Sequence, residues 1–142
     1  MNERWQRWPS RSPFIMESKM LKRGFKTMLA EANAVIETVS IQDLAYHLDD
    51  GGALLVDVRE TVEREREGAI PNSMHAPRGL LEFHADPESP VYNNAFVQDR
   101  PMILYCGTGG RSALAAKTLL DMGYPDVASL AGGYEAWRLA EG

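Results

Sequence analysis

Cysteine occurs once in this chain of 142 residues, at Cys106, and histidine three times, at His47, His75 and His84. A lone cysteine excludes an internal disulfide, and with no close histidine pair the spacing of a metal site is missing, so no metal or other cofactor is expected. Each histidine reads as a hydrogen-bonded or exposed residue, with His75 or His84 able to line a pocket mouth. No apolar run of about 18 residues exists, so no helix is expected to span a membrane. Repeats and low-complexity segments are absent too. The length suits one domain with its own core and leaves no room for a second. Residues 1–15, MNERWQRWPSRSPFI, hold three arginines, two tryptophans and two prolines but no uninterrupted apolar stretch of the kind a secretory signal carries. They are expected to be a disordered extension; a transit peptide, or a true start at Met16 or Met20, stays open.

The net charge of −5 conceals an uneven distribution. Residues 1–26 carry seven Lys and Arg against two Glu, whereas residues 27–142 carry eight against eighteen Asp and Glu. An acidic domain argues against nucleic acid as a partner. It also repels a dianion at long range, which leaves capture of one to local groups.

Those local groups are concentrated in Met102 to Ala113, MILYCGTGGRSA, where Cys106 ends an apolar strand. Gly107, Gly109 and Gly110 reach backbone conformations closed to other residues, so the segment through Thr108 to Arg111 can curl with its amides inward. That makes a cradle for an anion. From Ser112 to Met122 a helix is expected, whose first turn adds free N–H groups and a positive dipole end. A thiol held there ionises easily, and the thiolate is the nucleophile. A cysteine that merely filled the core would need neither the glycine-rich turn nor the arginine. Thr108 either donates a hydrogen bond or only shapes the turn.

Further motifs sit on either side. ALLVDVRE spans Ala53 to Glu60, GAIPNSMHA spans Gly68 to Ala76, and GGYEAW spans Gly132 to Trp137. Together with Cys106, Gly109, Arg111 and Ser112, and in this order, they resemble the rhodanese family of sulfurtransferases over about Val39 to Ala140. Ala69 departs from the histidine common there, a largely structural position. The resemblance implies a rhodanese-like domain over residues 36–142 and a site loop of Cys106, Gly107, Thr108, Gly109, Gly110, Arg111 and Ser112. Four residues separate Cys106 from Arg111, whereas cysteine-dependent phosphatases have five; the shorter loop suits the outer sulfur of a persulfide rather than a phosphoryl group. A phosphatase or arsenate reductase is thereby disfavoured. Asp57 and Arg59 are expected to pair at a strand end beside Cys106 and support the loop. Gly132 and Gly133 let the chain turn into a last helix on which Tyr134 and Trp137 pack.

The remaining pattern predicts an α/β fold, an open parallel sheet flanked by helices on both faces. An amphipathic helix over 16–34, within an N-terminal unit ending at residue 35, is expected to dock on the domain or on a second subunit. Ser40 caps a helix over 41–48. Four strands are predicted, over 53–58, 73–76, 102–105 and 127–130. The charged run from Arg59 to Glu67 reads as a solvated helical face that serves solubility. Between Pro77 and Arg100 lies an excursion with a short helix over 79–84.

The resemblance implies an enzyme that moves a sulfane sulfur from a small-molecule donor such as thiosulfate to a thiophilic acceptor through a persulfide on Cys106. Lacking a second cysteine, the chain needs an external acceptor: cyanide, a small thiol or a protein thiol. The alternative is a persulfide carrier or regulatory module with little turnover of small molecules, suggested by the acidic domain and its basic, aromatic extension. A reactive thiolate suits a reducing compartment, and the cytoplasm is the expected location.

Overall fold

The computed structural model describes residues 20–141. Two tetrads, Leu54–Asp57 (β2), apolar but for its last residue, and Met102–Tyr105 (β4), are buried at every position, as is Val127–Leu130 (β5). Strands buried on both faces belong to a parallel sheet covered on each side. With Glu37–Val39 (β1) and Met74–His75 (β3) they form five parallel strands in the order β1-β5-β4-β2-β3.

The alternation of strand side chains divides the core in two. Leu54, Val56, Met102, Leu104 and Cys106 face one layer, built from helix α1 (Phe25–Val35), α4 (Leu81–Ala85) and α5 (Gly110–Met122). Leu55, Ile103, Tyr105, Ala128 and Leu130 face the other, where α2 (Leu44–Asp49) and α6 (Gly133–Glu141) lie. Helix α5 is small on its buried side, with Ala113, Ala115 and Ala116 against the sheet. That lets it sit close over β4 and bring its N-terminus to the end of that strand.

Three differences from the sequence reading have physical causes. Strand β1 was not predicted: of Glu-Thr-Val only Val39 is buried, and the partner strand β5 supplies the ladder that propensity does not. The expected helix over 16–34 begins at Phe25 within the described residues, after Gly24 and a nonhelical stretch, and its first four positions lie outside them. It docks on α5 of the same domain. Ser40 caps a turn rather than the first helical residue, its Oγ accepting from the Asp43 amide at 3.2 Å, and α2 starts at Leu44.

The connections from β2 and β4 run in opposite directions, β2 leading to β3 at one edge and β4 to β5 on the other side. Where adjacent parallel strands diverge in this way, a crevice opens beyond their C-terminal ends. Asp57 and Tyr105 are register partners at that point, and Cys106 follows directly.

Candidate active site

Cys106 leaves β4 into a turn that only glycine makes without strain. Gly109, the residue before α5, has φ 115°, a left-handed value that a side chain resists. The turn carries backbone donors to the sulfur: Gly109 N lies 3.1 Å from Cys106 Sγ and Ser112 N 3.4 Å from it. Ser112 Oγ lies 3.6 Å away. The Cys106 residue is only 1% exposed, so the sulfur lies beneath the loop rather than on the surface. Burial pushes its thiol up, but hydrogen bonding from the Ser112 side chain and the amides of Ser112, Gly109 and Thr108 outweighs this, and the net direction is down. Thr108 thus contributes an amide while its side chain is exposed.

Ser112 is buried and belongs to a hydroxyl pair, its Oγ 2.8 Å from Ser129 Oγ on β5, and it also reaches Gly109 O at 3.1 Å. Sequence reasoning passed over Ser129. Its signal was a polar residue at a buried position of an otherwise apolar strand.

Arg111 is turned into an ion pair. Its Nη1 and Nη2 donate to Glu63 Oε2 and Oε1 at 2.7 and 2.9 Å. Glu63 comes from helix α3 (Thr61–Glu67) and also accepts from the Glu60 amide at 2.9 Å, one half of a capping box with Glu60. The Arg111 hydrogen bonds hold the Glu63 carboxyl down at about 2, against the opposing effect of burial. Arg111 is raised, chiefly by Glu63, with the Cys106 sulfur adding to the effect.

The charged run therefore needs correction: it is more than a solvated face. None of α3 is buried, yet Glu63, Arg64 and Glu67 each reach an ionic partner in or beside the crevice. Arg59, wholly buried, donates to both oxygens of the equally buried Asp57, at 3.0 and 2.9 Å, and to Gly68 O at 2.7 Å. Arg64 donates to Asp57 at 3.0 Å. The Arg59 guanidinium lies 4.3 Å from the centroid of the Tyr134 ring and 5.5 Å from that of Tyr105.

That stack reaches the loop through the backbone. The amides of Tyr134 and Glu135 donate to the carbonyls of Cys106 and Gly107 at 2.8 and 3.1 Å. Gly133 makes this possible: a Cβ there, at φ 57°, would lie 2.5 Å from Cys106 O and 2.8 Å from Gly107 O. The glycine pair therefore both turns the chain and lets it approach the loop. His75 binds Arg59 O at 2.7 Å and His84 binds Val91 O at 3.0 Å, each tied to backbone. Among the described residues no group of three or more His, Cys, Asp or Glu could hold a metal ion, and no helix is long and apolar enough to cross a membrane.

A cysteine ringed by amides at a helix N-terminus, at the divergence of a five-stranded parallel sheet, defines an α/β domain with a thiolate-stabilising loop. The rhodanese-like domain family model matches residues 40–140, and the chain belongs to that family. A sulfurtransferase of Allochromatium vinosum is 31% identical over 104 residues, covering 72% of this chain and 89% of that one. The thiosulfate sulfurtransferase GlpE of Pseudomonas savastanoi is 34% identical over 95 residues, 66% of this chain and 80% of that protein. Among solved structures, a protein of unknown function and possible tyrosine phosphatase from Rhodopseudomonas palustris matches with TM-score 0.81 at 45% identity, covering 87% of this chain and 96% of that one. The human single-domain sulfurtransferase TSTD1 matches with TM-score 0.66 at 27% identity, covering 74% and 97%.

Proposed function

We propose that this rhodanese-family protein is a sulfurtransferase that takes a sulfane sulfur onto Cys106 as a persulfide and passes it to an external thiophile. One observation carries the reading: the sulfur sits within reach of the Gly109 and Ser112 amides, with the thiol held below its ordinary range. The Cys106 thiolate attacks the outer sulfur of the donor, the Sγ–S bond forms, and the donor's S–S bond breaks with its electron pair leaving on the inner atom. From thiosulfate that product is sulfite. The first-turn amides of Gly110 and Arg111, which have no acceptor inside the helix, join those of the loop in holding the negative outer sulfur. Asp57 and Arg59 act from behind the loop, through Tyr134.

The sulfur then goes to cyanide, a small thiol or a protein thiol, because the 142 residues hold no second cysteine. The same reading takes residues 36–142 as the catalytic domain and the cytoplasm as its reducing compartment. A phosphatase activity, raised by the Rhodopseudomonas palustris relative, is disfavoured by the four-residue spacing from Cys106 to Arg111 and by the Glu63 carboxylate occupying that guanidinium. The test is thiocyanate formation from thiosulfate or methanethiosulfonate and cyanide. The wild type should turn over and Cys106→Ser should not; activity retained by Cys106→Ser would refute the role of the thiol.

A further inference from the structure

Every arginine at the C-terminal end of β2 and beside the Cys106 loop is matched by a carboxylate. Arg59 and Arg64 meet Asp57, Arg59 also meets Glu67, and Arg111 meets Glu63. Within these pairs three cations face three anions, so no arginine here adds an uncompensated positive charge. The Arg111 side chain is 44% exposed and that of Glu63 28%, so the pair stands at the surface above the buried sulfur. It also stands close to the loop: a Cβ on Gly107 would lie 3.3 Å from Arg111 Nη2. An unpaired guanidinium here would draw a dianion to the cysteine. Paired with Glu63 through two of its five N–H groups, it keeps donors for the sulfur but its charge is offset, so the net attraction on a dianion falls back on the amides and the helix end.

We propose that Glu63 determines donor selectivity: by neutralising Arg111 above Cys106 it turns the site away from the dianion thiosulfate and toward sulfane-sulfur donors of single charge or none, such as persulfides of small thiols. The proposal rests on Cys106 being the sulfur acceptor. With an alkyl persulfide, Cys106 thiolate takes the outer sulfur together with its proton, and the donor's S–S bonding pair leaves as a thiolate. The charge is thereby conserved without any oxidant or reductant.

Removing one negative charge from beside a dianion in a partly solvated cleft should favour its capture about tenfold, and that of a monoanion by the square root, about threefold. Persulfide formation on Cys106 under single-turnover conditions should therefore be timed with thiosulfate and with methanethiosulfonate, a monoanion that leaves as a sulfinate. In Glu63→Gln the second-order rate should rise about tenfold for thiosulfate and about threefold for methanethiosulfonate, through tighter capture rather than faster transfer at saturation. Glu63→Asp, which keeps the charge at altered geometry, should retain the wild-type ratio of the two donors. Equal changes for both donors in Glu63→Gln, or no change, would overturn the proposal while leaving Cys106 as acceptor. Failure of wild-type Cys106 to gain sulfur from either donor would overturn the underlying function, and the selectivity with it.

Discussion

Replacing Gly133 by alanine should damage the loop around Cys106 more than any effect of backbone preference can explain. Gly133 and Gly52 have similar left-handed φ values, 57° and 66°, but they differ in surroundings: a Cβ at Gly52 meets nothing within 4 Å. Gly52→Ala therefore isolates the cost of a left-handed alanine, about 1–2 kcal/mol. At Gly133 the same strain is joined by overlap with the Cys106 and Gly107 carbonyls, at 2.5 and 2.8 Å. Neither obstacle is a side chain that can swing aside; both are backbone oxygens that accept hydrogen bonds from Tyr134 and Glu135. Relief requires parting the N-terminus of α6 from the loop, at the expense of two backbone hydrogen bonds worth about 1 kcal/mol each. The total is about 3–4 kcal/mol, about 2 kcal/mol beyond Gly52→Ala. Urea unfolding of both variants gives the difference, and the rate of Cys106 alkylation at neutral pH reports the loop directly. Gly133→Ala should lose the additional stability and alter the alkylation rate, while Gly52→Ala keeps the wild-type rate. Equal stabilities for the two variants, with unchanged alkylation, would refute the role assigned to this close approach.

Arg59→Met should destabilise the fold by about 3 kcal/mol in urea unfolding because it takes two side-chain hydrogen bonds and the buried partner charge from Asp57, leaving the carboxylate only the partly exposed Arg64 and one backbone amide, and Asp57→Leu in the same chain should restore part of it; a single variant within about 1 kcal/mol of wild type would contradict this. The alkylation rate of Cys106 should reach half its maximum below the ordinary thiol value of about 8.5, and Ser112→Ala should move that midpoint upward by removing the side-chain hydrogen bond to the sulfur; an unmoved or lower midpoint would refute the role of that hydroxyl. Because the folded thiol lies below its unfolded value, its ionisation contributes stability fully present above the unfolded value and lost as pH falls through the folded one. The stability of wild type relative to Cys106→Ala should therefore rise with pH through that window, and a flat difference would contradict the thiolate assignment.

What could be read in the chain beforehand was local in origin. Strands β2, β4 and β5 are apolar runs that stand out within a residue of their ends, and the cysteine, three glycines and helix start of the loop are contiguous. Strand β1 escaped because one buried valine makes no pattern and its order comes from β5. The Glu63–Arg111 pair joins residues 48 apart, and the alternation of charge along α3 holds no trace of a partner on α5. The same holds for Ser112 and Ser129, which meet across 17 residues and two elements. Gly133 was legible as a turn residue, because φ preference is local. Its contact with the Cys106 carbonyl is not, being set by the docking of α6 on the loop. Asp57 and Arg59 were legible as a pair from their spacing, while the Tyr134 ring beneath the guanidinium required the fold.

The central claim is that Cys106 carries the transferred sulfur, and intact mass measurement after incubation with thiosulfate or methanethiosulfonate, then with cyanide, tests it most directly. The account predicts a gain of about one sulfur atom, located on Cys106 by peptide mapping, lost on adding cyanide and absent from Cys106→Ser. A protein that stays at its original mass with both donors while Cys106 remains open to alkylation would contradict it.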